Sequence, residues 1–519
     1  MRRLVVMLAL GLALTLALSP TQAAEKPHNV LVFVADGLRY VSVTPRSAPT
    51  LWRVKSQGVD FTNSHSIYPT LTTVNASAIA TGHYIGDTGN FANRIWSGQG
   101  LLEFEDDAQL GHANDLFGGN YLNETSLLAA AHAAGYATAV MGKVGPTAIQ
   151  NVTARDGTGG IVIDDAYGIT VAPDVLDAIK AAGIATPAPK PNVPNTEQQQ
   201  YMLQVATKVV LPRLAGSGKP FAMLFWSRDP DLSQHLEKDG SINGKTSQAG
   251  IRDADETLAA LLAWLKANKL DKTTDVFVTA DHGFSTIAEH RAPGFLDADL
   301  KSFPEAKVIG NGGSDLIYLS DTRNAAAIVD ALTKLDYVSG IFADDDLGDI
   351  PGSLPMSAIN WRGTAKTPRP SIVVSFASHL VPGCKPDLMC AAEIADTSLV
   401  AGQGMHGTFS RADTRNFMAA IGPDFKARFS DKAPISNADI APTLAKLLGL
   451  TIQPKGGLKG RVIDEALPGG KPVAFSRSRQ VSAPAANGLK TVLDVQKVGE
   501  TRYFDAAGFP GRTVGLSGH

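Results

Sequence analysis

The sequence predicts an α/β fold, a central and mostly parallel sheet with helices packed on it, and three observations point there. The runs Asn29–Ala35 (NVLVFVA), Phe221–Ser227 (FAMLFWS) and 276–280 (VFVTA) are short and almost wholly apolar, the pattern of strands buried on both faces. Each run leads into a polar motif, VADGLR, DPDLSQH and TADHG in turn, and in open α/β sheets ligands gather at the carboxyl ends of strands. Residues 251–265 carry Ile251, Leu258, Leu261, Leu262 and Leu265 at helical spacing with charges opposite, an amphipathic helix just before the third strand.

Taken in order, the chain opens with an address label. Arg2 and Arg3 precede an apolar stretch at 4–18, too short to span a bilayer comfortably, and Thr21-Gln22-Ala23 resembles a signal-peptidase site. A signal peptide at 1–23 and a mature chain at 24–519 are expected, exported to the periplasm or secreted, with no stable membrane insertion once the signal is removed. The proline-punctuated PAPKPNVP at 187–194 predicts an extended loop. From about 290 to 371 the texture changes to a strand-like DLIYLS, a helical NAAAIVDALTKL and an acidic run at 344–346, which predicts a small inserted α/β subdomain. Cys384 and Cys390, six positions apart in VPGCKPDLMC, lack metal-pair spacing and predict a short disulfide.

Size and charge narrow the function. A chain of 519 residues with 44% hydrophobic content and 50 glycines supports one large domain with an insertion, or two domains. A net charge of -3 gives no electrostatic footprint for a nucleic-acid duplex or an anionic membrane. A small-molecule substrate is expected, and the sequence sets no oligomeric state.

The strand-end motifs hold the chemistry. Asp36, Asp231, His235, Asp281, His282 and His406 (GMHGT) are six candidate ligands for two divalent metals. Asp231 and His235, four apart, share one face of a helical turn, and mixed carboxylate and imidazole donors suit zinc better than magnesium or calcium. Singly, each motif reads as well as a turn or a surface i, i+4 pair; three of them behind predicted strands argue for convergence. His65, His83, His112, His132, His290 and His379 lack that context and read as surface or core. In YPTLTTVNASAIATG, Thr70, Thr72 and Thr73 precede a small-residue helix, whose free N–H groups favour developing negative charge. Metal-assisted hydrolysis follows, since a divalent ion can activate a weak hydroxyl nucleophile.

The order Asp-Gly, threonine motif, Asp-x-x-x-His, Asp-His-Gly, His-Gly resembles the alkaline phosphatase superfamily, most closely its type I phosphodiesterase/nucleotide pyrophosphatase branch. The resemblance runs from Asn29 to about Leu467, including NADIAPTLAKLLGL and GGLKGRVIDEAL. It implies a three-layer alkaline phosphatase-like sandwich holding two zinc ions, one at Asp36, Thr72, Asp281 and His282, the other at Asp231, His235 and His406. The family's Pro-Thr-x-Thr-x-x-Asn pattern overlays Pro69, Thr70, Leu71, Thr72 and Asn75 and so implies Thr72 as nucleophile. It implies Asn93, twenty-one residues later, as a donor to phosphate oxygen, and Lys143 (GKVG) as a phosphate contact.

The expected activity is hydrolysis of phosphodiesters or nucleotide pyrophosphates through a phosphothreonine. Leu71, Thr73 and Val74 depart from the family's lysine and Phe-Pro, and Gly145 stands where phosphatases of this superfamily carry an arginine, so alkaline phosphomonoesterase activity is the alternative. A sulfatase is excluded because neither cysteine lies in a Cys/Ser-x-Pro-x-Arg setting. A headgroup transferase or a non-catalytic binding protein ranks lower.

Overall fold

The strand Asn29–Ala35 is buried along its whole length, because its two faces serve two different cores. Val30, Val32 and Val34 enter one apolar cluster with Ile79, Leu128 and Leu444, whereas Leu31, Phe33 and Ala35 enter another with Leu51, Leu258 and Leu261. Alternation of side chains across a strand thus produces a sheet sandwiched between two helical layers. The computed structural model describes residues 28–151, 153, 158–166, 172–235 and 244–516. The expected signal segment at 1–23 lies outside them. No helix among the described residues is long and apolar enough to cross a membrane.

This sheet has eight strands in the order Phe429–Asp431, Val59–Phe61, Met418–Ile421, Thr274–Thr279, Asn29–Ala35, Phe221–Ser227, Ala137–Gly142, Ile161–Asp164. Met418–Ile421 runs antiparallel to both neighbours, and the other pairings are parallel. The third predicted strand begins earlier than expected, at Thr274, because the ladder pairs Thr274 with Asn29 and Asp275 with Val30 despite their polar character. The helix expected at 251–265 spans Lys245–Ala267 and buries Ile251, Leu258, Leu261 and Leu265, with Leu262 half-buried.

A separate five-stranded sheet, in the order Ala306–Gly310, Ser314–Leu319, Ile372–Phe376, Val338–Ala343, Leu354–Pro355, packs with the helix Ala325–Lys334 around its own core of Ile317, Ile328, Leu332, Ile341 and Val374. Its central strand, Ile372–Phe376, lies just past the expected boundary at 371, since it must pair with both Ser314–Leu319 and Val338–Ala343. Cys384 and Cys390 form a disulfide with Cα atoms 5.9 Å apart.

Candidate metal centre

Four neighbouring parallel strands, Thr274–Thr279, Asn29–Ala35, Phe221–Ser227 and Ala137–Gly142, end at one edge of the large sheet, and Asp281, Asp36, Asp231 and Lys143 follow them within a few residues. The loops are knitted by backbone bonds: the Asp36 N–H donates to Ser227 O at 3.1 Å, and the Asp231 N–H donates to Asp36 O at 3.0 Å. Gly37 is required between them. Its φ is +67°, and a Cβ there would meet the Phe284 ring at 2.9 Å and the Asp231 Cβ at 3.2 Å. Its N–H donates to Asp281 Oδ1 at 2.9 Å.

The three histidines are oriented from behind. Nδ1 of His235, His282 and His406 lies 2.8, 2.9 and 2.7 Å from the carbonyls of Gly404, Gly283 and Thr70. A carbonyl only accepts, so Nδ1 carries the proton and Nε2 presents its lone pair inward. That lone pair faces carboxylates: His282 Nε2 lies 3.2 Å from Asp281 Oδ2 and 3.6 Å from Asp36 Oδ1, and the Nε2 atoms of His235 and His406 lie 3.1 and 3.5 Å from Asp231 Oδ1. These three oxygens, Asp36 Oδ1, Asp231 Oδ1 and Asp281 Oδ2, are buried without a hydrogen-bond partner. Buried acceptors facing acceptors are costly unless a proton or a cation lies between them, and the donor set fits divalent ions with mixed nitrogen and oxygen ligation.

Two groups of ligand atoms, each within 4.8 Å of one another, emerge: Asp36, Asp281 and His282, and Asp231, His282 and His406. The His282 and His406 rings stack with centroids 3.6 Å apart, so His282 Nε2 reaches both groups, while His235 joins the second through Asp231.

Burial and neighbouring charge shift these groups in different directions. Burial pushes the Asp36 carboxyl up to about 7 against the pull of Lys143, and burial together with Asp36 pushes Asp281 well above the carboxylate range. Burial lowers His282 to about 3 and His406 well below the usual imidazole value, keeping both neutral as ligands must be. Asp231 goes the other way: burial works against its charge, but His235 and Lys143 hold it well below the usual range. The His235 ring is raised, burial being outweighed by Asp231.

Thr72 is the first residue of the helix Thr72–Thr81. Its hydroxyl donates to His282 Nε2 at 3.4 Å and accepts from Lys143 Nζ at 3.3 Å. Thr70 and Thr73 are used otherwise: Thr70 Oγ1 donates to Thr408 O, and Thr73 Oγ1 donates to Asn93 Oδ1 at 2.9 Å. Lys143 Nζ lies 3.0 Å from Asp36 Oδ2, 3.2 Å from Asp231 Oδ2 and 3.4 Å from Glu105 Oε1. Burial opposes its charge, yet Asp231, Asp36 and Glu105 hold its pKa well above the usual lysine value.

Above these groups opens a cavity of about 740 Å³, lined by Thr72, Asn93, Lys143, Asp231, His235 and His406 among others. Asp36, Asp281 and His282 lie fully buried beneath it. Asn93, not Asn90, reaches the cavity, because the fully buried Asn90 amide donates to Thr73 O at 2.6 Å. All nine residues singled out in the sequence therefore meet at one place.

A family model described as type I phosphodiesterase / nucleotide pyrophosphatase matches residues 30–407, from the central strand to the glycine after His406. The chain belongs to this family. It is 24% identical over 245 residues to human ectonucleotide pyrophosphatase/phosphodiesterase family member 5, a match covering 45% of this chain and 43% of that protein. It is 22% identical over 446 residues to bis(5'-adenosyl)-triphosphatase enpp4 of Xenopus laevis, covering 84% of this chain and 81% of that one. The chain thus spans under half of the first relative and most of the second.

In this phosphodiesterase-family chain the sequence reading missed the braces. Asp413 accepts from Ser285 Oγ at 2.6 Å on one carboxylate oxygen and from the Thr408 N–H and Oγ1 at 3.0 and 2.6 Å on the other, while its carbonyl takes the Gly283 N–H. It ties the loop after His282 to the loop after His406. Asn437 donates to Asp281 O at 2.7 Å and to Asn75 Oδ1 at 2.9 Å, and Asn75 donates to Leu71 O just before Thr72. Trp226 Nε1 donates to Asp36 Oδ2 at 2.7 Å. The one signal for Asn437 was its place at the head of NADIAPTLAKLLGL; Asp413 carried none.

Proposed function

We propose that this chain is an exported hydrolase of phosphodiesters or nucleotide pyrophosphates in which Thr72 attacks phosphorus. The placement of the Thr72 hydroxyl carries the reading: it lies at a helix start, on the cavity wall, between His282 Nε2 and the Lys143 ammonium. Lys143 and the first N–H groups of the helix stabilise the deprotonated oxygen. Oγ1 gives up its proton to solvent, attack forms the Oγ1–P bond and breaks the bond to the leaving oxygen, and the departing alkoxide or phosphate takes up a proton from solvent. Water then attacks phosphorus and breaks the Oγ1–P bond, freeing Thr72. Lewis acidity at the nucleophile and at the leaving oxygen is what two divalent ions, zinc by their donor set, supply when held by Asp36, Thr72, Asp281 and His282 and by Asp231, His235 and His406. The Cys384–Cys390 disulfide supports a periplasmic or secreted location. The five-stranded sheet reads as an insertion in the catalytic domain.

The name of the frog relative, a bis(5'-adenosyl)-triphosphatase, supports ranking diesters and pyrophosphates first. Rates with a bis-aryl and a mono-aryl phosphate test the order: the diester is expected to lead in kcat/KM by at least about tenfold, roughly 1.4 kcal/mol at the transition state, and a smaller preference overturns it. A second reading, phosphomonoester hydrolysis, is favoured by the buried Lys143 ammonium 3.3 Å from Thr72 Oγ1, which would match the additional charge of a monoester.

Asn93 is proposed as a donor to a phosphate oxygen. Its Oδ1 accepts the Thr73 N–H at 3.0 Å, and its Nδ2 donates to Glu105 at 3.3 Å. Asn93→Asp keeps the acceptor and removes the donor, and is expected to lower kcat/KM roughly 100-fold with the fold intact. Kinetics indistinguishable from the parent chain would remove Asn93 from the site.

A further inference from the structure

At the opposite edge of the large sheet, where the parallel strands begin, His28, Asp275 and Asp424 converge. His28 immediately precedes Asn29–Ala35, Asp275 is the second residue of Thr274–Thr279 opposite Val30, and Asp424 lies in the turn that follows Met418–Ile421. His28 Nδ1 lies 2.5 Å from Asp424 Oδ2 and 4.0 Å from Asp275 Oδ2. The three ligand atoms all fall within 4.8 Å of one another. Asp275 is fully buried: its Oδ1 accepts the Asp424 N–H at 3.0 Å, and its Oδ2, turned toward His28, has no hydrogen-bond partner. A buried carboxylate oxygen left unpaired beside a second carboxylate is costly unless a cation completes it.

We propose that His28, Asp275 and Asp424 form a further divalent-cation site, a structural clip remote from the hydrolytic centre. One neutral imidazole and two carboxylates carry two negative charges, which a single divalent ion balances, and the mixture of nitrogen and oxygen donors selects zinc or a similar first-row cation over calcium or magnesium. Zinc bonds of about 2.0–2.2 Å in a tetrahedron place ligand atoms about 3.4 Å apart, between the 2.5 and 4.0 Å separations present. His28 and Asp424, 23% and 30% exposed, are free to adjust around Asp275, which the strand holds fixed. Solvent completes the coordination. The bound ion ties the entry of the central strand to the turn leaving the antiparallel strand, so it binds the folded chain and stabilises it.

The test compares the full chain with His28→Ala and Asp424→Asn, each stripped of metal, equilibrated with zinc and desalted. Metal analysis is expected to find one zinc per chain fewer in each variant, with hydrolysis of a bis-aryl phosphate unchanged and with a smaller zinc-induced rise in Tm. The difference between chains is what is read, so the result holds whatever the metal content of the hydrolytic centre. Equal zinc content in all three chains overturns the proposal and leaves the His28–Asp424 contact as a hydrogen bond without a metal. Asp275→Asn, which retains an acceptor for the Asp424 N–H, must lose the same single equivalent; if it keeps the zinc, the site is not the one described.

Discussion

Thr72→Ala is expected to reduce phosphodiester hydrolysis by at least about 1,000-fold, roughly 4 kcal/mol at the transition state, with metal content and Tm close to those of the parent chain. The separation between activity and stability follows from what the hydroxyl touches. Its hydrogen-bond partners are His282 Nε2 and Lys143 Nζ, both belonging to the site, whereas the turn entering the helix is held by Asn75, which takes the Ile67 N–H and donates to the Ile67 and Leu71 carbonyls. Removing Oγ1 therefore deletes the nucleophile and spares the scaffold. Thr72→Ser keeps an oxygen in nearly the same place and should recover much of the rate. Trapping of the phosphoryl group with its remaining ester substituent on residue 72 during turnover of a phosphodiester, read by mass spectrometry, provides the direct check. A Thr72→Ala chain that retains metal and full hydrolysis sinks the nucleophile assignment.

Metal removal is the second large effect. Chelation is expected to abolish hydrolysis and lower Tm, and added zinc should restore both. An ion that binds only the folded chain stabilises it by about 2.7 kcal/mol at one hundred times its Kd. The cause is specific: Asp36 Oδ1, Asp231 Oδ1 and Asp281 Oδ2 are buried acceptors with no donor, facing imidazole lone pairs. Stripped of metal, the chain should also respond to pH in a defined direction. Burial raises Asp36 from 3.8 to about 7, so between those values the folded state binds a proton that the unfolded state has released. Stability contributed by this group is then present at low pH and lost as pH rises toward 7. Metal-loaded chain should show the opposite slope over the same window, because ligation requires the carboxylate. Thermal melts at pH 5 and pH 8, with and without chelator, distinguish the two; identical slopes would show that no ion couples to these carboxylates.

Much of the site was legible because it is local. The apolar run Asn29–Ala35 followed by Asp36, and Phe221–Ser227 followed by Asp231 and His235, each write a strand and its strand-end candidate ligands in one continuous stretch. The third strand was read two residues short at its start because Thr274 and Asp275 are polar, and only pairing with Asn29 and Val30 draws them into the ladder. The change in texture from about 290 to 371 did not specify a five-stranded sheet, because Ile372–Phe376 joins that sheet through partners at 314–317 and 338–343.

The amino-acid sequence by itself determined which side chains are candidates for the chemistry and that several of them follow buried strands, since side-chain identity and apolar periodicity are properties of adjacent residues. Only the tertiary structure decided how they combine. His282 between both ligand groups, Lys143 against Asp231, Asp413 tied to Ser285 and Asn437 holding the Asp281 backbone all join residues from separate segments of the chain, the last three pairs 88, 128 and 156 positions apart. Parallel strand register brings Asp36, Lys143, Asp231 and Asp281 together, and register is a relation between distant segments that no single stretch of chain encodes.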